Sequence, residues 1–193
     1  MENIKGPKLH ELIINDEHIT NNMMRSLLAQ IFYTIIIMKK HKINHNDLHT
    51  NNIIVQKNNV ITHIIYDDFN LCIPTYGNVI KIIDFGFAHN ENTFNNLNIL
   101  FYLEQMTFHY NNIIDLWKII YDIHMLLKNT IQLLETKHFI NSIFKLFKSW
   151  TYYDYDDNIT KLHMNELWNE KNNLLFDTTI HNYLMTHEYF QMF

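Results

Sequence analysis

The sequence predicts an α+β domain, mainly α, in which a small amount of strand lies between helices. Apolar side chains follow helical spacing over about twenty residues near the N-terminus. Short β-rich runs separated by turn residues come next, and a second helical stretch after residue 111 has almost no polar face. With no internal repeat and no Pro/Gly/Ser linker, we expect one domain over residues 1–193.

The first helix has recognisable ends. Thr20 is a typical N-cap residue, because its hydroxyl can accept a hydrogen bond from the first free backbone N–H groups. Residues 39–41 supply cations that suit the C-terminal end of the helix dipole. The apolar positions with helical spacing are Met24, Leu28, Ile31, Phe32 and Ile35.

Three β-rich runs follow the helix. Residues 53–56 predict a short strand, and residues 60–66 and 79–83 predict two more. Pro, Thr, Tyr and Gly at positions 74–77 predict a turn between the last two. Cys72, in this β-rich segment, is expected to be a small buried hydrophobe.

The stretch from Asn112 to Leu127 predicts a helix inside the domain. Its side chains are apolar nearly all round, and such a helix buries itself against other elements. Asp115 stands near its start.

Composition disfavours several classes of protein. The net charge of −5 offers no basic patch for a nucleic-acid backbone, so we expect no nucleic-acid partner. A single cysteine excludes an internal disulfide and a multi-cysteine zinc site. The longest strongly apolar stretch, residues 32–38, is too short to span a bilayer, so we expect a soluble intracellular protein without a membrane partner.

Two polar clusters interrupt the apolar pattern. The first runs from His45 to Asn52, and the second, at Asp84, ends the last β-rich run. Asp47 and Asn52 stand five positions apart and can turn towards one site from a single loop. Carboxylate and amide oxygens are the hard ligands that Mg²⁺ prefers. These residue types therefore predict a site for a metal ion and phosphate groups.

The same clusters carry a family resemblance. His-Asn-Asp-Leu-His-Thr-Asn-Asn at positions 45–52 resembles the protein-kinase catalytic loop H-R-D-L-x-x-x-N, and Asp-Phe-Gly at 84–86 matches D-F-G. With the stretch at 73–77, they look like kinase-like proteins of large DNA viruses and are similar to haspin-type atypical kinases. The fold implied is a protein-kinase C-terminal lobe, a helical bundle with small β-hairpins around the catalytic loop. A viral protein would act in the host cytoplasm or the virion.

The resemblance implies roles for the polar residues. Asp47 would be the catalytic base, and Asn52 and Asp84 would hold Mg²⁺ against the phosphates of ATP. His49 stands where many Ser/Thr kinases have Lys and would face the γ-phosphate. ATP and Mg²⁺ are thus the expected cofactors.

Other positions would support the site. His45, Phe85 and Gly86 are expected to have structural roles, and Asp115 resembles the aspartate that braces the catalytic loop from below. The start of the chain looks like the hinge between kinase lobes, with Glu2 and Ile4 where backbone groups would meet adenine.

The sequence also departs from the family pattern. Asn46 replaces the Arg that pairs with an activation-loop phosphate, so control by such a phosphate is not expected. No A-P-E follows Gly86, and the three glycines form no G-x-G-x-x-G. We therefore expect the N-lobe to be absent from this chain, with an N-lobe or partner protein supplied in trans.

Three functions remain open at this point. The first is a Ser/Thr protein kinase that acts on a protein substrate, with doubtful activity for this chain alone. The second is a pseudokinase or binding module, and the third is a small-molecule phosphotransferase of the aminoglycoside or choline kinase type. A zinc site formed by His45 and His49 is disfavoured because no H-E-x-x-H glutamate accompanies them.

Overall fold

The computed structural model describes residues 4–15, 18–66, 71–90, 113–128, 130–150, 183 and 186–191. It is a mixture of helices and small antiparallel sheets, which confirms the predicted α+β class. In chain order the helices and strands are α1 (Leu9–Asn15), α2 (Asn21–Lys40), β1 (Ile43–Asn44), β2 (Ile53–Lys57), β3 (His63–Tyr66), β4 (Leu71–Pro74), β5 (Asn78–Ile82), β6 (His89–Asn90), α3 (Ile113–Leu127), α4 (Leu134–Trp150) and α5 (Glu188–Gln191).

Helix α2 lies at the centre of the core and has the predicted ends. The Thr20 hydroxyl oxygen accepts a hydrogen bond from Met23 N at 3.2 Å. Such a cap stabilises a helix by about 1 kcal/mol. Lys39 and Lys40 occupy the last turn, as predicted. All five apolar positions named from the sequence are buried.

The six strands within the described ranges form three antiparallel pairs, β1 with β6, β2 with β5 and β3 with β4. The predicted strand over residues 60–66 is only partly correct, because the strand begins at His63. Asn58 Oδ1 accepts hydrogen bonds from Val60 N and Ile61 N, both at 3.0 Å. These bonds occupy backbone donors that a strand ladder needs, and Val60 is left 90% exposed.

The expected burial of Cys72 is wrong. The residue is exposed on the outer face of the β3–β4 pair, opposite Ile65, which is 68% exposed. Its neighbour Ile73 is fully buried. Side chains alternate between faces along a strand, so burial of Ile73 directs Cys72 outwards.

Two buried polar side chains of α2 hold the strands against the helix. Ser26 Oγ donates to Pro74 O at 2.6 Å. Gln30 Nε2 donates to Asn78 O at 3.1 Å, and Gln30 Oε1 accepts from Ile80 N at 3.0 Å. Both polar atoms of the Gln30 amide are therefore paired, whereas Oδ1 of Asn78 on β5 is buried without a partner among the described residues.

Helices α3 and α4 pack beside α2. The predicted buried helix is confirmed as α3, with Ile119, Ile120 and Ile123 fully buried. On α4, Phe139 lies within ring-contact distance of Phe32 of α2 and of Tyr189 and Phe190 of α5. We call these four residues the aromatic cluster. Within the described ranges, no helix combines the length and the apolar character needed to cross a bilayer.

Candidate functional site

Strand pairing places the two polar loops side by side. Residues 45–52 connect β1 to β2, and residues 83–88 connect β5 to β6. Since β1 pairs with β6 and β2 pairs with β5, both loops cross the same gap between the two pairs. Ile83 N donates to Asn52 O at 2.9 Å, so the backbones of the loops are joined directly. We call these segments the 45–52 loop and the 83–88 loop.

His45 links the two loops through its ring. Nε2 of the ring lies 2.9 Å from Ile83 O, and Nδ1 lies 3.3 Å from Asp47 N. A carbonyl oxygen can only accept and a backbone N–H can only donate, so these partners assign the proton to Nε2 of a neutral ring. The ring is fully buried and lies 4.7 Å from that of Phe85, centroid to centroid. His45 therefore sits in a structural position.

Asn46 makes a second link between the loops. Its backbone is left-handed, with φ of 66°, a conformation in which Asn is enriched. Nδ2 donates to Phe87 O at 3.0 Å, and Lys118 Nζ donates to Asn46 O. The Oδ1 atom is buried without a partner among the described residues. Asn46 thus contacts the segment after Asp84 directly.

Asp115 of α3 lies beneath the start of the 45–52 loop. Its two oxygens accept from His45 N at 2.6 Å and from Asn46 N at 2.9 Å. The residue is only 2% exposed, and burial raises the pKa of its carboxyl. The two backbone donors and the nearby Lys118 charge oppose that rise in pKa. The aspartate expected to brace the loop is in contact with it.

A second carboxylate of α3, Asp122, holds the other end of the loop. Asp122 Oδ2 accepts from Thr50 N at 2.7 Å and from Thr50 Oγ1 at 2.6 Å. The sequence reasoning missed this residue. It stands seven residues after Asp115, which is about two helical turns and therefore the same face of α3. The seven-residue spacing from Asp115 was the signal in the sequence that could have identified Asp122.

Asp47, His49 and Asn52 come together in the middle of the loop. Asn52 Nδ2 donates to Asp47 O at 2.9 Å and lies 3.4 Å from Asp47 Oδ2. His49 Nε2 lies 3.6 Å from the same Oδ2, which is an ion pair when the ring is protonated. The side chains of Asp47 and His49 are 35% and 37% exposed, whereas Asn52 is buried. The Asp47 carboxylate and the His49 imidazole are thus partly exposed to solvent, next to the buried side-chain amide of Asn52.

Asp84 follows β5 and is exposed at the edge of the second loop. Its backbone is left-handed, with φ of 63° and ψ of 59°, and it precedes the short 3₁₀ turn Phe85–Phe87. A Cβ atom at Gly86 would lie 3.3 Å from Asp84 Oδ1, so the glycine leaves the carboxylate room. Phe85 is 48% exposed. Strained backbone of this kind persists where surrounding structure enforces it, often at functional sites.

The segment before α1 runs along β2. Pro7 O accepts from Val55 N at 2.9 Å, and a Cβ atom at Gly6 would collide with Val55 O, so only glycine fits at this position. Ile4, two residues earlier, is half-buried. Glu2 lies outside the described residues. So do residues 91–112, which belong to the segment after Gly86 where the kinase family has A-P-E. The adenine contacts of Glu2 and Ile4 stay a prediction.

The donor set fits Mg²⁺ better than zinc. Asp47, Asn52 and Asp84 offer hard oxygen atoms, and Mg²⁺ needs only one or two carboxylates because it keeps waters and binds phosphates. In the described part of the chain, no three His, Cys, Asp or Glu side chains form a group that could hold a metal by themselves. His45 cannot join a zinc site in this arrangement, since both ring nitrogens already have partners.

Comparison with known proteins shows a partial similarity to a kinase. No family model matches the chain. It is 32% identical over 102 residues to myosin light chain kinase 2 of human skeletal and cardiac muscle, and the rabbit protein matches equally. An uncharacterized protein of invertebrate iridescent virus 6 is 34% identical over 100 residues. These matches cover 52% and 46% of this chain, but only 14% and 17% of the relatives' own lengths.

Proposed function

We propose that this chain carries the phosphoryl-transfer site of a protein kinase of the Ser/Thr type, which moves the γ-phosphoryl group of Mg-ATP to a protein hydroxyl. The observation that supports this most is the joining of the two loops. Hydrogen bonds of Ile83, His45 and Asn46 fix one loop against the other. We therefore infer that three oxygen-bearing side chains, those of Asp47, Asn52 and Asp84, face one site.

Each side chain has a role in this proposal. Asp47, partly exposed, would accept a hydrogen bond from the attacking hydroxyl and orient it. Asn52 and Asp84 would hold Mg²⁺, which when bound neutralises charge on the phosphates. His49, beside Asp47, would contact the phosphate being transferred when its ring is protonated.

The proposal includes a second structural unit. No glycine-rich loop of the G-x-G-x-x-G type occurs in these 193 residues, which contain only three glycines. Phosphoryl transfer depends on positioning and electrostatic stabilisation of the phosphates from several sides. We therefore propose that an N-lobe, in the same polypeptide or in trans, completes the nucleotide clamp and that the chain alone transfers phosphate poorly.

A phosphotransfer assay tests the function and separates it from its alternatives. The chain, joined to a kinase N-lobe, is given labelled ATP with Mg²⁺ and either Ser/Thr peptides or small alcohols. We expect labelled peptide, and we expect Asp47→Asn to lower the rate by roughly 10²–10⁴-fold, the usual contribution of a general base. The matched control is Glu11→Gln, the same change on an exposed position of α1.

The alternatives give different results in the same assay. Labelled alcohols without labelled peptide would indicate a small-molecule phosphotransferase. Nucleotide binding without any transfer, unchanged by Asp47→Asn, would indicate a pseudokinase or binding module. Either outcome would contradict the protein-kinase proposal.

A further inference from the structure

We propose that Asp122 is a positioning residue for the second half of the 45–52 loop and acts through Thr50. The inference rests on the proposed function, because it concerns the orientation of His49 and Asn52 towards phosphate and metal. Asp122 belongs to no motif recognised in the sequence. It is assigned by its contacts alone.

Thr50 is held by two helices at once, α3 and α1. Its backbone N–H and its hydroxyl both donate to Asp122 Oδ2, at 2.7 Å and 2.6 Å. Because the hydroxyl proton goes to the carboxylate, the hydroxyl oxygen is left to accept from His10 Nδ1 of α1, 3.4 Å away. Thr50 is fully buried, and hydrogen bonds to a carboxylate are stronger than those between neutral groups.

These contacts fix the loop at two points. Asp115 holds the backbone at His45 and Asn46, and Asp122 holds it at Thr50. Only residues 47–49 lie between the two attachments. Both carboxylates project from one face of α3, so the loop is fastened to a single rigid helix.

The contact between Thr50 and Asp122 affects the positions of His49 and Asn52. Thr50 begins the 3₁₀ turn Thr50–Asn52, in which Asn52 N donates to His49 O at 2.9 Å. A rotation of Thr50 would therefore move the backbone carbonyl of His49 and the backbone N–H of Asn52 together, and the Asn52 side chain would move with its backbone. Loss of Asp122 should misorient these groups without removing any of them.

The test compares four variants of the full chain. Asp122→Asn keeps the size of the side chain but removes its charge, and Thr50→Val removes the hydroxyl donor. Thr50→Ser keeps both donors and should behave like the wild type. His124→Asn is the matched control, because His124 also lies on α3 but contacts Asn141 of α4 rather than the loop.

Three quantities are measured. They are amide hydrogen exchange at Thr50, the NMR signal of the Asn52 side-chain amide, and the Kd of Mg-ADP by calorimetry. For Asp122→Asn and Thr50→Val, we expect exchange to accelerate by roughly tenfold, the effect of one lost charge-assisted hydrogen bond. The Asn52 signal should shift and Mg-ADP binding should weaken several-fold, whereas Thr50→Ser and His124→Asn leave both unchanged.

The inference is overturned if the Asn52 signal stays unchanged in Asp122→Asn and Thr50→Val, even when these variants lose stability. It is also overturned if the signal moves but the Kd for Mg-ADP does not. If the wild-type chain fails to bind Mg-ADP even when joined to the kinase N-lobe of the phosphotransfer assay, the proposed function fails. The exchange and NMR measurements on the unliganded protein then decide the positioning role by themselves.

Discussion

The 45–52 loop and the aromatic cluster are held by opposite kinds of force. The loop is fixed by hydrogen bonds to two carboxylates of α3 and to the neighbouring loop. The aromatic cluster is fixed by ring packing, with Phe139 stacked on Tyr189 at a centroid distance of 4.2 Å. Packing energy depends on shape and area, whereas hydrogen bonds dictate where individual atoms lie.

This difference separates the stability of the molecule from the geometry of its site. Removing a ring from the cluster should weaken the whole fold and leave the geometry of the loops intact in the molecules that remain folded. Removing a carboxylate beneath the loop should disturb the site more than the fold. The predictions below test that separation, from the largest expected effect to the smallest.

The largest effect is expected for Phe139→Ala. The side chain is 2% exposed and contacts both α2 and α5, so its loss leaves a cavity that three helices cannot close. Such changes cost roughly 3–5 kcal/mol of the free energy of unfolding, measured by denaturant titration. The amide signals of the 45–52 loop should stay at their wild-type positions. Large shifts there would contradict the separation.

A smaller loss of stability, with a larger change at the site, is expected for Asp115→Ala. Two buried N–H groups, those of His45 and Asn46, lose their acceptors. Water can enter the space that the carboxylate leaves, so each donor should cost only about 1 kcal/mol and the two together about 2 kcal/mol. Hydrogen exchange should accelerate at these two amides before the rest of the chain opens. Equal acceleration throughout the protein would show that Asp115 supports the fold rather than the loop.

The smallest effect is a pH dependence confined to the helical region. Burial lowers the pKa values of His124 and His187, so the unfolded chain binds protons more readily than the folded one. His187 Nδ1 also accepts from Tyr189 N, which protonation of that nitrogen would prevent. Stability from these groups is full above pH 6.5 and is lost as pH falls through their folded pKa values.

Unfolding by denaturant at pH 7 and pH 5.5 measures this loss. Burial raises the pKa of Asp115, which gives the opposite dependence, so the histidine contribution is taken as the difference between wild type and a variant carrying His124→Asn and His187→Asn. We expect the variant to lose less stability on acidification. An equal loss in both proteins would contradict the assignment.

Much of the fold followed from local pattern in the sequence. Helix α2 and its Thr20 cap, the strand β2 and the buried helix α3 depend on spacing and capping that short windows contain. The polar loop and Asp84 were likewise visible as motifs. These features are specified by neighbouring residues, so sequence alone was sufficient.

Other features depend on partners distant in the chain. Strands β1 and β6 have two residues each, and only their pairing across more than forty residues defines them. The exposure of Cys72 depends on which face of β4 meets α2. Thr50 and Asp122 are separated by 72 positions, so no local pattern joins them. Tertiary packing decides these features.

The central claim is that Asp47, Asn52 and Asp84 form one site for a metal ion and phosphate. The most direct test is NMR of the labelled chain with ADP and Mn²⁺, a paramagnetic substitute for Mg²⁺ that broadens signals close to it. We predict that signals of residues 47–52 and 84–86 broaden together, and that Asp84→Asn abolishes the effect on both loops. Broadening of only one loop, or of neither, would contradict the claim.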